Sequence, residues 1–193
     1  MSSIGRRPRA DALRNRQQVL AEADAVFREH GAAGSLESVA RRAGVAIGTL
    51  YGHFPTRHVL VGALLRERHD TLFTWGDELT AGDDPWDALG NWVRAVVEHT
   101  ATYRGLADLF AASAADAESE LHVDCARMTA IGEALVAAAR NAGVVRPDLG
   151  GEDVFVLMNA AAWARAQLSP AEADRLVGFT LDGFRASGTR SGR

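Results

Sequence analysis

Apolar residues return every three or four positions through nearly the whole chain, and no convincing apolar–polar alternation marks a strand. This pattern predicts an all-α protein of about nine helices. Asp11 is placed to cap a first helix whose apolar stripe takes Leu13, Leu20, Ala23 and Phe27, ending near His30 and Gly31. Ser35 caps a second, with Leu36, Val39, Ala40 and Ala43 inward. A short third covers about Ala46 to His53, and Thr56 opens a long fourth through Leu60, Leu64 and Leu72 toward Trp75. Asp84 and Pro85, with Asp87 in the first turn, start a fifth that reaches about Thr102. A sixth runs from Tyr103 to about Ser113. A long helix from Ala117 to Ala142 follows, on Leu121, Cys125, Met128, Gly132, Leu135 and Ala139, and stops at Gly143 and Pro147. Residues 152–168 are apolar almost all round, which predicts burial on more than one side. Ser169 and Glu172 bracket a capping box that opens the last helix.

Two of these helices are very short and meet through a glycine, which describes a helix-turn-helix. In RRAGVAIGTLYGHF (residues 41–54), Gly44 falls where a left-handed residue turns the chain. Ala40 is small where the helices cross, and Val45 and Leu50 plug the inside of the turn. Ile47, Gly48, Thr49, Tyr51 and Gly52 remain on the outer face, where a recognition helix meets a major groove. Gly48 leaves backbone bare for close approach; Gly52, at the same spacing, has no assigned role. A membrane packing motif is excluded because no run of 18 apolar residues surrounds these glycines. A P-loop is excluded because no lysine follows a glycine-rich loop.

Charge sharpens this reading. All 21 basic residues of the 193-residue chain are arginine. Residues 1–60 carry nine arginines against five acids, +4, whereas residues 61–193 carry twelve against twenty, −8. A basic N-terminal third on an acidic body suggests a local polyanion-binding surface. The N-terminus lacks the apolar segment of a secretory signal, and a single cysteine, Cys125, fits a reducing cytosol. The expected location is cytoplasmic.

The run SLESVARRAGVAIGTLYGHFPTRHVL, residues 35–60, resembles the DNA-binding signature of TetR-type transcriptional regulators, and RADALRNRQQVLAEADAVFREHG before it is similar to the first helix of actinobacterial-type members. The resemblance implies a flexible basic arm over 1–10, a helix-turn-helix DNA-binding domain over 11–57, an effector-binding and dimerisation domain over 58–187, and a disordered tail over 188–193. It implies that Thr49 and Tyr51 contact phosphates and that Ile47 and Gly48 meet base edges, with Ala46 a further DNA-binding candidate. His53 touches phosphate or caps the fold. Ser35 and Thr56 present hydroxyls to phosphate oxygens, and Arg57 stands where the family usually has lysine. Ile47 departs from a hydrogen-bonding reader, since an apolar side chain meets thymine methyl groups. Arg42, with Arg41, is either a phosphate contact or a solvated charge, and Tyr51 has a packed-aromatic alternative. Arg6, Arg7 and Arg9 form either a minor-groove extension or a solvated tail.

The same resemblance implies a homodimer through the last two helices, a near-palindromic double-stranded operator and a small-molecule effector that releases it, with helix four as lever. Candidate effector contacts are Trp75, Trp92, His99, Tyr103, Phe110, Met128, Asn159 and Trp163, each with an alternative as plain core. Asn159 is the sharpest, because a buried amide needs partners; a symmetry mate is the other source. His122 and Cys125 beside Asp124 form at most a weak metal pair. No nucleophile–base pair, paired carboxylates or cofactor motif supports an enzyme, so no cofactor is expected. A protein-binding helical adaptor with a degenerate DNA-binding head is the competing reading.

Overall fold

The computed structural model describes residues 6–113 and 120–186. Among them nine helices and no strand are present: α1 (Arg6–His30), α2 (Leu36–Arg42), α3 (Ile47–His53), α4 (Arg57–Thr80), α5 (Pro85–Thr100), α6 (Leu106–Ser113), α7 (Glu120–Asn141), α8 (Gly151–Arg165) and α9 (Pro170–Phe184). The chain divides into two compact units, Met1–Glu67 with Tyr103–His122, and Arg68–Thr102 with Val123–Arg193. The division falls within α4 rather than at residue 57, because α4 continues without a break through it. The expected tail, 188–193, and the expected start of the long helix at Ala117 lie outside the described residues.

In the first unit, α1 buries Val19, Ala23, Val26 and Phe27 against Leu36, Val39 and Ala40 of α2 and Leu50 of α3. α1 begins at Arg6, five residues before the expected cap, and residues 1–5 of the expected arm lie outside the described residues. Pro8 falls in the first turn, where its missing N–H would have no helical partner in any case. Asp11 pairs loosely with Arg14 at 3.6 Å instead of capping. The turn after α2 is a Schellman motif: Val45 N–H donates to Ala40 O at 3.0 Å and Gly44 N–H to Arg41 O at 3.2 Å, with Gly44 at φ +68. α6 begins at Leu106 rather than Tyr103, since Gly105 at φ +78 turns the chain first.

The tether between α1 and α2 is held from two directions. Arg57 Nη1 donates to the carbonyls of Ala32 (2.8 Å) and Gly34 (2.7 Å), its guanidinium 5.7 Å from the Phe27 ring. Ala32 N–H donates to Arg104 O at 2.8 Å, and Tyr103 Oη donates to Asp24 at 2.5 Å while meeting Phe27 edge-on. A Cβ at Gly31 would stand 2.7 Å from Arg104 O, so this contact depends on glycine there.

In the second unit, Trp92 of α5 is fully buried and wedged against two glycines. A Cβ at Gly76 of α4 would lie 2.6 Å from its ring, and one at Gly132 of α7 3.4 Å from its Nε1. α4 runs to Thr80, five residues past Trp75, and continues through Gly76. Asp84 caps α5 as expected, accepting from Trp86 and Asp87 N–H at 3.0 Å each. α9 opens on the expected capping box, with Ser169 N–H donating to Glu172 at 3.1 Å. α8 corrects one expectation. It packs on α5 and α9 and buries one stripe, Val154, Met158 and Ala162, leaving Val156 and Trp163 more than three-fifths exposed in the single chain.

Candidate nucleic-acid interface

Position along α3 determines which residues face out. Leu50 is fully buried and anchors the helix, which leaves its opposite side bare. Ala46, Ile47, Gly48, Tyr51 and Gly52 are exposed, and Thr49 and His53 are half-buried. At four-residue spacing, Ile47 and Tyr51 form one ridge, Gly48 and Gly52 a strip without side chains, and Thr49 and His53 the other flank. Ala46 ends the extended turn and gives no side-chain cap. The His53 ring stands 6.3 Å from that of Phe54.

The polar candidates around α3 divide into outward and committed groups. Thr56 Oγ1 accepts from Val59 N–H at 3.2 Å and remains exposed. Ser35 Oγ accepts from Ser38 N–H at 3.2 Å and donates to Glu37 at 2.8 Å. That hydroxyl holds the Glu37 carboxyl below its usual range, so a carboxylate shares Ser35. Arg42 is committed inside the chain: Nε to Glu22 at 3.1 Å, Nη1 and Nη2 to Glu29 at 2.9 and 3.3 Å. Arg57 is likewise turned to the two carbonyls of the α1–α2 tether. Arg41 is exposed, with one bond to Ser38 at 3.2 Å.

The eight effector candidates are divided between the two units. Tyr103 and Phe110 are buried in the first unit, Tyr103 bonded to Asp24. Trp75 and Trp163 of the second unit are exposed. Asn159 is half-buried and donates to Phe155 O in its own helix at 3.0 Å. Trp92, His99 and Met128 are buried in the second unit. The Trp92 indole N–H has no acceptor among the described residues.

His99 has a partner that the sequence pattern did not single out. The buried His69 ring lies 4.8 Å from His99 and 5.6 Å from Phe73, and its Nδ1 is 2.6 Å from Asp124 Oδ2. Burial first, then His69 and Arg68, push His99 down to about 3, so it is neutral at pH 7. His69 shares the register of Leu65, Leu72 and Phe73, a signal present in the sequence but indistinguishable there from a surface histidine. Asp124 therefore faces His69, and among the described residues no three His, Cys, Asp or Glu side chains group to hold a metal.

A helix-turn-helix with a bare outer face, followed by further helices carrying buried polar groups, defines a DNA-binding regulator. Residues 19–64 match the family model for bacterial regulatory proteins of the tetR family, and residues 84–186 match that for the C-terminal domain of SbtR-like transcriptional regulators. A TetR transcriptional regulator from Streptomyces coelicolor is 34% identical over 89% of this chain and 99% of its own, with a TM-score of 0.58. The TetR regulatory protein of Mycobacterium vanbaalenii is 33% identical over 92% and 98%, TM-score 0.53. The ketosteroid regulator KstR2 of Mycobacterium tuberculosis, 20% identical over 89% and 95%, shares the fold with a TM-score of 0.63. No curated protein matches. The chain belongs to the TetR family of transcriptional regulators. Among the described residues no helix is long and apolar enough to cross a membrane.

Proposed function

We propose that this regulator is a homodimeric repressor that binds a near-palindromic operator and is released by a small-molecule effector. The observation that carries the proposal is the outer face of α3, where a buried Leu50 fixes the helix and every other side chain is small, apolar or able to hydrogen-bond. Such a face fits a major groove, and two copies would occupy half-sites one helical turn, about 34 Å, apart. Dimerisation is supported by the apolar side chains exposed on α8 and α9, including Trp163 and Phe179 at 62% each. An effector is supported by the buried Trp92 N–H and the neutral His99, polar groups in an apolar helical seam.

Repression and release follow from linkage. The effector must bind the released arrangement more tightly, with a coupling of about 1–3 kcal/mol. α4 supplies residues to both compact units, which suits it to transmit the change. The test is the double variant Thr49→Ala/Tyr51→Ala. It should lose sequence-selective operator binding while its helical content and oligomeric state match those of the natural chain. Undiminished operator binding by that variant would count against α3 as the reader.

A further inference from the structure

We propose that α3 reads its operator by apolar contact with a base edge, with Ile47 seated on the C5-methyl group of a thymine beside the bare strip of Gly48 and Gly52. The proposal rests on the DNA-binding reading above and specifies its chemistry.

The N-terminal end of a recognition helix contacts the base edges in this type of docking. Here that end is Ala46, Ile47 and Gly48, and none of the three carries a side-chain donor or acceptor. The hydrogen-bonding side chains of α3, Thr49, Tyr51 and His53, begin only further along, and two of them are half-buried. Discrimination at the leading end therefore has to come from apolar contact and fit. In the major groove only thymine offers an apolar group, its C5-methyl; the other edges present donors and acceptors that an isoleucine would strip of water without replacing. Ile47 is 38% exposed in the free chain, so apolar surface is left to cover.

The two glycines point the same way. A Cβ at Gly48 or at Gly52 would meet nothing within 4 Å, and neither residue has a left-handed φ. Among the described residues nothing requires glycine at either position, yet glycine weakens a helix relative to alanine. They sit one turn apart on one strip next to the Ile47–Tyr51 ridge. A strip of bare backbone lowers the helix onto the base edges and brings Ile47 within reach of a methyl group. Gly52, which has no role from spacing alone, completes that strip.

The experiment begins with an operator selected from a random DNA pool. Each thymine of a half-site is then replaced singly by deoxyuridine, which removes only the C5-methyl. At one position the natural chain should bind about threefold to fivefold more weakly, the worth of one buried methyl. Ile47→Ala should bind the natural operator more weakly and no longer distinguish thymine from uracil there, with effects at other positions unchanged. Gly48→Ala and Gly52→Ala should each raise the thermal midpoint and weaken binding to every version of the site. Because all three positions are exposed, circular dichroism should show unchanged helix content. A uridine scan without loss at any position, or a loss that persists in Ile47→Ala, overturns the methyl contact while leaving operator binding intact. Absence of any sequence-selective binding overturns the DNA-binding reading and the contact with it.

Discussion

Arg57 and His99 show how far a residue type underdetermines its role. In the sequence Arg57 is one more cation beside a DNA-reading motif. In the fold its guanidinium ties the carbonyls of Ala32 and Gly34. Arg57→Ala should therefore lower stability by about 1–3 kcal/mol in denaturant titration, because two partly buried carbonyls lose a charged donor. The slope of operator affinity against salt should stay unchanged, whereas loss of a phosphate contact would reduce it by about one. His99 acts on stability through its proton. Folded His99 sits at about 3, against a reference of 6.5, chiefly through burial. Between those values the unfolded chain binds a proton that the folded chain refuses, so stability falls as pH drops from about 6.5 toward 3. The slope from this group is at most about 1.4 kcal/mol per pH unit. Paired carboxylates slope the same way, so the comparison is with His99→Gln: its urea midpoint should change less between pH 7 and pH 5 than that of the natural chain.

At the scale of elements, most of the fold was legible because helices are local. The heptad-like spacing, the Asp84 and Ser169 caps and the Gly44 and Gly143 stops all act within a few residues, and the structure places all four where the pattern put them. A misplaced boundary has an equally local cause: Gly105 delays α6 past Tyr103. The outer face of α3 was legible for the same reason, as one turn-and-helix unit. The surroundings of the effector candidates were not, because Tyr103 bonds Asp24, 79 residues away, and His99 meets His69 of another helix, itself paired with Asp124. Residues 152–168 stand between these cases. Their all-round apolarity is real, but within one chain only one stripe of α8 is covered. If a second copy covers the rest, Trp163→Glu/Phe179→Glu should sediment as a folded monomer and bind operator far more weakly. A variant that remains dimeric would place the interface elsewhere.

For the whole molecule, the distribution of charge sets the first third of the chain apart from the rest. The net −4 hides a basic first third, and it is that third that carries α3. Binding through such a surface should combine a salt-dependent phosphate component with a smaller sequence-dependent one. The most direct test is a titration of the purified chain against its own upstream DNA and a scrambled duplex across a series of salt concentrations. Log affinity for the upstream DNA should fall linearly with log salt, with a slope of roughly −5 to −9 for a dimer touching six to ten phosphates. The upstream site should stay at least about a thousandfold preferred. Equal affinity for the two duplexes at every salt concentration would overturn sequence-selective DNA binding by this chain.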